Sequence, residues 1–350
     1  GHTPGPFMIV NQGDQITIKF TNNLDFPTTV HWHGLRLDYT SDGVPKITQD
    51  PIPPEGVFEY KLKFPDEGIF VYHPHVRTEM QVDLGLYGNI LVESDESQKI
   101  KPDYKVPLIL DDIPITADGI QEYDSELVTH TLMGRFGNVM LVNGNPNYSL
   151  DVKENDIVRF YLTNTANTRV FNFTIEQQDI KLVSSDVSSY EKESFVKSVI
   201  LAPFERKIVD VLFDSQGTYK IIHATPDKKY ILGEILVKQS NKKPDVDFYN
   251  ISNNEELIQD IGKYKKYFLD KPDLELEFDL NTKGLLHMDS MQGSDEMSMM
   301  EQHEKPLIEW EDEMPKMNAM SNEENTRWIL RDTETGKEGF DINYQAKVGD

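Results

Sequence analysis

Two short histidine motifs carry the residues of this sequence that could do chemistry. Each has the form His-x-His, at residues 31–33 and 73–75. In a β-strand, residues i and i+2 project from the same face, so each motif would place two imidazole rings side by side. One such pair is often only a surface feature, but two pairs in one domain favour a shared site. Neutral imidazole suits copper, zinc, iron and nickel. The sequence therefore predicts a metal site formed by His31, His33, His73 and His75.

An internal repeat supplies the strands that would position these rings. Residues 13–22 and 155–164 both begin with a turn, alternate apolar and polar side chains, and end in Thr-Asn. Alternation with a period of two indicates a half-buried strand. The likeness continues through a Pro-to-Gly interval of equal length (68 − 54 and 217 − 203) and a Gly-x-Ile-Leu-Val strand, at 88–92 and 233–237. We therefore expect an all-β fold with two copies of a β-sandwich or Greek-key unit.

The second copy serves as a comparison for the histidine positions. Matching the two copies pairs the four histidines with apolar residues, namely Phe171, Phe173, Ile222 and Ala224. We therefore expect the histidines to face a buried interface, where polar rings are costly unless a partner such as a metal satisfies them. Two residues are expected to be structural: His223, which falls opposite Pro74 on the other strand face, and Trp32, which alternates with the ligands.

The rest of the chain divides by composition. We expect a first domain at 1–98, a second at 99–242, a linker at 243–320 and the start of a third domain at 321–350. Residues 346–350 repeat the turn that opens the first copy, and the chain is expected to be truncated there. Within the linker, the spacing predicts a helix at 253–268 and a strand at 274–280.

Charge and hydropathy exclude two classes of partner. The formal net charge is −25 and the sequence pI is about 4.7, so a nucleic-acid partner is not expected. No apolar run approaches the ~18 residues of a membrane span. The chain contains no cysteine, which excludes a thiolate metal ligand from within it.

Together these motifs resemble a known family. His-Trp-His-Gly at 31–34 and Tyr-His-Pro-His at 72–75 enclose Asp-Gly-Val-Pro at 42–45 and Gln-Asp-Pro-Ile-Pro-Pro at 49–54. This set is similar to the first domain of bacterial laccase-like multicopper oxidases with three domains. The resemblance implies tandem cupredoxin-like Greek-key β-sandwiches: a copper-bearing first domain, a copper-free second domain and the start of a third.

The resemblance also implies a cofactor and a reaction. His31 would ligate type 2 copper, and three residues would ligate the type 3 pair: His33, His73 and His75. The other cluster ligands and the type 1 copper, with its Cys–His bridge, would come from the third domain, so the chain alone is expected to be inactive. The whole enzyme would couple one-electron oxidation of a phenol or a metal ion, such as Cu(I), to reduction of dioxygen to water.

Asp42 matches the family's acidic residue near the cluster, which assists proton delivery to oxygen. A carboxylate is a suitable proton relay in a dry site. From the residues alone, Asp42-Gly43 can equally be a simple turn.

A methionine-rich acidic segment follows the second repeat. Thioether sulfur suits Cu(I), and the resemblance suggests Cu(I) recruitment and copper resistance through Met288, Met291, Met297, Met299 and Met300. The alternative is a flexible linker. The resemblance further implies a periplasmic or extracellular location.

Three other functions compete with the oxidase. A copper-free cupredoxin-fold protein with a structural or partner-binding role would lack the histidine pairs. A two-domain nitrite reductase would need a cysteine, and the chain has none. A simple zinc or copper store would lack the intense blue site, and metal content would distinguish it.

Overall fold

The computed structural model describes residues 2–94, 100–123, 130, 134–281, 308–311 and 327–347. The five methionines proposed above for Cu(I) lie outside these ranges, as do residues 348–350 of the expected third domain. Contacts divide the chain into two units. The first contains Gly1–Gln121 and Arg135–Ile258, and the second contains Glu122–Gly134 and Gln259–Asp350.

The first repeat is a small β-sandwich within the first unit. Its elements are β1 (Met8–Asn11), β2 (Gln15–Thr21), β3 (His31–His33), β4 (Val57–Lys63), β5 (Gly68–His73), α1 (Thr78–Asp83) and β6 (Gly88–Glu93). One sheet has the order β1-β6-β5-β3, and β2 pairs with β4 opposite it. The predicted alternation is confirmed in β2, where Ile16, Ile18 and Phe20 are partly buried between exposed neighbours. The core includes Trp32, Tyr60 and Phe70.

The second repeat is a larger sandwich in the same unit. Its strands are β7 (Tyr104–Ile113), β8 (Ile115–Thr116), β9 (Gly119–Ile120), β10 (Val139–Val142), β11 (Tyr148–Lys153), β12 (Asp156–Asn164), β13 (Phe171–Ile175), β14 (Ile180–Ser185), β15 (Ser188–Val196), β16 (Val199–Leu201), β17 (Arg206–Phe213), β18 (Gly217–Ala224) and β19 (Lys229–Lys238). A six-stranded sheet, β10-β7-β12-β17-β14-β15, faces a five-stranded sheet, β11-β19-β18-β13-β16.

The strand pairings confirm the internal repeat. The antiparallel pair β12–β17 corresponds to β2–β4, and the parallel pair β11–β19 corresponds to β1–β6. Strand β18 lies between β19 and β13, as β5 lies between β6 and β3.

Strand β12 departs from the half-buried pattern predicted for it, because all nine of its residues are buried. One face packs into the core of its own sandwich through Val158, Phe160 and Leu162. On the other face, Tyr161 packs against Ile69 and Leu91 of the first sandwich. The predicted apolar face of β12 is confirmed. The other face, which the alternation predicted to be exposed, is covered by the first sandwich.

Polar contacts also join the two sandwiches. Asn89 Nδ2 donates to Thr163 Oγ1 at 2.9 Å, and both side chains are buried. Arg135 Nε donates to Asp83 Oδ2 at 2.7 Å, with side-chain exposures of 1% and 2%. Separating the two partners would leave a buried charge unpaired, which is costly. The ion pair therefore holds α1 against the second sandwich.

Beyond the sandwiches, the predicted helix and strand are confirmed. Helix α2 spans Glu255–Tyr264 and continues as a 3₁₀ turn over Lys265–Phe268, and β20 (Leu276–Asn281) pairs antiparallel with β21 (Arg327–Asp332). Further 3₁₀ turns cover Tyr39–Ser41, Val246–Tyr249 and Gly339–Asp341. In the part of the chain that the structure describes, no helix has both the length and the apolar character needed to cross a membrane.

We expect the buried ion pair of the second sandwich to support its stability. Arg159 donates two hydrogen bonds to Asp210, at 2.7 and 2.8 Å, and both side chains are buried. Asp210→Ala would leave the guanidinium buried without its carboxylate, so the free energy of unfolding should fall by about 3 kcal/mol. Denaturant unfolding measures this loss.

The matched control is Asp151→Ala, which breaks an ion pair to Lys238 whose partners are more than half exposed. This change should alter the free energy of unfolding by no more than about 0.5 kcal/mol. Equal losses in the two variants would contradict the prediction.

Candidate metal centre

Two paired strands position the histidines. Strands β3 and β5 are antiparallel, with His31 opposite His73 and Trp32 opposite Tyr72. Trp32 is 3% exposed and packs in the core with its ring 5.3 Å from that of Tyr60, which confirms its structural role. Because neighbours along a strand point to opposite faces, the histidines lie on the outer face of the sheet.

The structure brings all four predicted rings together. The ring of His31 lies 5.8 Å from that of His33, 5.3 Å from that of His73 and 5.2 Å from that of His75, between centroids. One ring nitrogen from each of His31, His33 and His73 lies within 4.8 Å of the others. Imidazole nitrogens bind metal ions at about 2.0–2.1 Å, so two ligands of one ion are up to about 4 Å apart. The three nitrogens are thus grouped on nearly the scale of the ligands of one metal ion, with a slightly wider limit.

Hydrogen bonds set the tautomers of two of the rings. His31 Nδ1 lies 2.7 Å from the carbonyl oxygen of Asp42, and His73 Nδ1 lies 2.8 Å from that of Pro74. A carbonyl oxygen can only accept, so Nδ1 carries the proton in each ring and Nε2 keeps its lone pair. His73 Nε2 is buried and has no hydrogen-bond partner among the described residues. A buried acceptor of this kind fits a metal ion, and ligating histidines usually donate their other N–H in this way.

Burial keeps the rings neutral. It is the main cause that lowers the pKa of His33 to about 4 and that of His73 to about 3. The positive charge of Arg206 contributes next at His33. Burial also lowers the pKa of His75. Near pH 7 these imidazoles are therefore in the deprotonated form that metal binding requires.

Asp42 lies beside the cluster at the end of the 3₁₀ turn Tyr39–Ser41. Its Oδ1 is 3.3 Å from His31 Nδ1, and its side chain is 33% exposed. The next residue, Gly43, has φ of 78°, and a methyl group there would collide with the carbonyl oxygen of Val30. Asp42-Gly43 is thus a turn, and the same turn brings a carboxylate and a carbonyl to His31.

The predicted match of Phe171 and Phe173 to the histidines of β3 is wrong. Both phenylalanines are fully buried in the core of their own sandwich, on the inner face of the sheet. The strand register instead places Thr174, which pairs with Ile222, at the position of His31, which pairs with His73. Ile222 and His73 are each the fifth residue after the glycine that opens the strand (222 − 217 and 73 − 68). His31 follows Asn22 by nine residues (31 − 22), whereas its structural equivalent Thr174 follows Asn164 by ten (174 − 164), so the segment before β13 is longer than the sequence alignment assumed.

The opposite face of β18 agrees with the sequence interpretation. His223 is fully buried, and its Nδ1 accepts a hydrogen bond from the backbone N–H of Asn172 at 3.0 Å. Its neighbours Ile222 and Ala224 are only partly buried. His223 is therefore a structural residue on the inner face.

Sequence reasoning missed two residues of the second sandwich that lie against the cluster. The ring of Phe204 is stacked on that of His33 at 5.4 Å and lies 4.6 Å from that of His73. The charge of Arg206 acts on His33. Both belong to the Pro-to-Gly interval of the second repeat, residues 203–217, but a repeat shows no contact between its copies.

Comparison with known proteins agrees with this site. Two family models, both described as multicopper oxidase, match residues 1–97 and 91–235, together 235 of the 350 residues. Multicopper oxidase mco of Staphylococcus aureus is 30% identical over 253 residues, which are 69% of this chain and 54% of that protein. Copper resistance protein A of Pseudomonas syringae pv. tomato is 37% identical over 112 residues, 32% of this chain and 18% of that protein.

Solved structures give the same result. The crystal structure of a multi-copper oxidase from Pseudomonas thermotolerans has a TM-score of 0.63 and 29% identity, and the match covers 70% of this chain and 59% of that one. The match to the S. aureus protein covers 54% of that protein, so the chain spans only about half of its length. Its paired sandwiches, its histidine cluster and these matches together place the chain in the multicopper oxidase family, with cupredoxin-like domains and copper as the family's cofactor.

Proposed function

We propose that this chain provides half of the copper cluster of a laccase-like oxidase, with His31, His33, His73 and His75 as its copper ligands. In the whole protein, a substrate would lose four electrons one at a time. Dioxygen would take up these electrons with four protons and form two water molecules.

The convergence of four imidazoles on one face of the β3–β5 pair carries this proposal. Three of the rings have lowered pKa values, so they stay neutral. The buried Nε2 of His73 fits a soft or borderline metal ion better than it fits water or an apolar neighbour. A copper-free structural role would leave this buried nitrogen unexplained.

Copper, when bound, would supply the one-electron chemistry, and the chain would supply geometry and protons. The carbonyls of Asp42 and Pro74 hold the rings of His31 and His73 through Nδ1. The partly exposed carboxylate of Asp42 can take a proton from solvent and hold it beside His31.

The remaining parts of the enzyme would come from outside these 350 residues. A type 1 copper site needs a thiolate, and the chain has no cysteine. We therefore propose a longer protein with further ligands, in which the first domain, the second domain, a linker and a third domain meet near residues 98, 242 and 320. Its substrate would be a phenol or a metal ion, and we propose a periplasmic or extracellular location.

Replacing two of the histidines should greatly weaken copper binding at this cluster. In full-length protein, the double change His31→Ala and His73→Ala removes one ligand from each strand. We expect the copper affinity of the cluster to fall by more than the roughly 10- to 100-fold that loss of an outer-shell partner costs. Competition with a copper chelator and metal analysis per chain measure the loss.

The control is the double change Thr17→Ala and Lys19→Ala, at exposed positions of β2, which pairs with β4 and not with the histidine strands. It should retain the wild-type copper content. If the histidine double variant also kept wild-type copper, the four histidines would not be the ligands.

Asp42→Asn should slow oxygen reduction without loss of copper. The backbone carbonyl that orients His31 remains, whereas the proton-carrying carboxylate is lost. Because general acid–base groups contribute about 10²- to 10⁴-fold, we expect turnover to fall by at least about 100-fold. Oxygen uptake and copper content would be measured together, with Asp50→Asn at an exposed position as control. Unchanged turnover would exclude a relay, and loss of copper would show that the carboxylate acts on the ligand instead.

We also propose that Cu(I) is a substrate, recruited by the methionine-rich segment. Its thioethers are soft ligands, and one matched relative is a copper resistance protein. The segment would concentrate Cu(I) close to the enzyme and so aid copper detoxification.

Deletion of residues 287–303 tests Cu(I) recruitment. We expect cuprous oxidation at low Cu(I) to fall by about 10-fold, corresponding to about 1.4 kcal/mol of lost binding. Oxidation of a phenol should not change, because the copper cluster is intact. Both rates would be followed by oxygen uptake, and an unchanged cuprous rate would discard the idea.

A further inference from the structure

The second sandwich supplies no histidine to the cluster, yet one of its turns lies directly against it. Residues 202–205 connect β16 to β17, and Phe204 lies within this turn. Its ring is stacked on His33 with an interplanar angle of 19° and lies 4.6 Å from His73 at 49°. A ring stacked face to face leaves the edge of its partner open, and the edge of an imidazole carries the nitrogens.

The backbone of Phe204 adopts a conformation that bulky residues avoid. Its φ is 62°, in the left-handed region. Two hydrogen bonds hold it there: its N–H donates to the carbonyl of Asn164 at 2.8 Å, and its carbonyl accepts from Arg206 Nη1 at 2.9 Å. A strained residue persists only where its surroundings fix it, so the ring is held in place by the fold.

Arg206 fastens the same turn to the histidine strands. It is 5% exposed, and its Nε donates to the carbonyl of Ile69 in β5 at 3.2 Å. Its Nη1 also pairs with Asp186 at 2.8 Å. Its Nη2 would lie 2.7 Å from a Cβ at Gly34, so the residue after His33 has no room for a side chain.

We propose that Phe204 is a positioning residue that fixes the ring planes of His33 and His73 for copper. This inference rests on the function proposed above, in which these histidines are ligands. The copper-free domain thereby shapes the site, because orienting ligands before binding reduces the conformational freedom lost on binding. Outer-shell partners of metal ligands typically change metal affinity by 10- to 100-fold.

The test compares Phe204→Leu with Phe204→Tyr in the full-length protein. Leucine keeps an apolar side chain but has no ring, whereas tyrosine keeps the ring. In metal-free protein with labelled histidine, the ring-proton NMR signals of His33 and His73 should move in Phe204→Leu, because the ring current is lost, and stay near wild type in Phe204→Tyr. Copper affinity, measured by chelator competition, should fall by about 10-fold in Phe204→Leu and recover in Phe204→Tyr.

The matched control is Phe195→Leu. Phe195 is also a partly buried phenylalanine of the second sandwich, and its ring packs on Phe248 at 5.6 Å, away from the histidines. It should change neither the histidine signals nor the copper affinity. Wild-type affinity and unmoved signals in Phe204→Leu, or an equal effect of Phe195→Leu, would overturn the inference. If wild-type protein bound no copper through these histidines, the proposed function would fail instead.

Discussion

The register between β3 and β5 is the constraint on which the geometry of the histidine cluster depends. Trp32 and Tyr72 lie opposite one another on the inner face, and both pack in the core of the first sandwich. Side chains alternate along a strand, so a shift of one residue would put the histidines into that core and the aromatic rings outside. Burial of Trp32 and Tyr72 opposes such a shift, since each large ring gains free energy by leaving water. The apolar core thus determines where His31 and His73 meet.

Burial has opposite consequences for the protonated and the neutral forms of the histidine rings in the cluster. It is unfavourable for a protonated imidazole, and it lowers the pKa of His33 and His73 far below neutral pH. For a neutral ring the same burial removes competing water from Nε2. The carbonyl of Pro74 then occupies Nδ1 of His73, so Nε2 is the nitrogen that stays available. The carbonyls of Asp42 and Pro74 therefore orient two of the four rings, and burial lowers the pKa of His33, His73 and His75.

Local patterns made the fold and the clustering of the four histidines predictable from the sequence. The alternation in β2, the repeated turns and the His-x-His spacing all depend on residues close together in the chain. Tertiary contacts between distant segments were not visible in this way. Aligning the two copies of the repeat in sequence matched Phe173 to His33. The register of β13 with β18 instead places Phe173 on the inner face of the sheet. Likewise, nothing near Phe204 in sequence indicates that its ring lies on His33, a residue 171 positions earlier (204 − 33).

The two copies of the sandwich differ mainly in which sheet face is used. In the second copy, the position equivalent to His73 is Ile222, a partly buried residue that needs no partner. In the first copy, the outer face of the same strand pair carries the histidines proposed as ligands, and burial of that face needs a neighbour to cover it. Ile69 packs against Tyr161, and Phe204 covers His33, so the second copy provides that neighbour. A sandwich alone would expose these histidines to water and protons. The second sandwich therefore supplies part of the apolar wall over the cluster through Phe204, and burial of this kind lowers the pKa of His33 and His73.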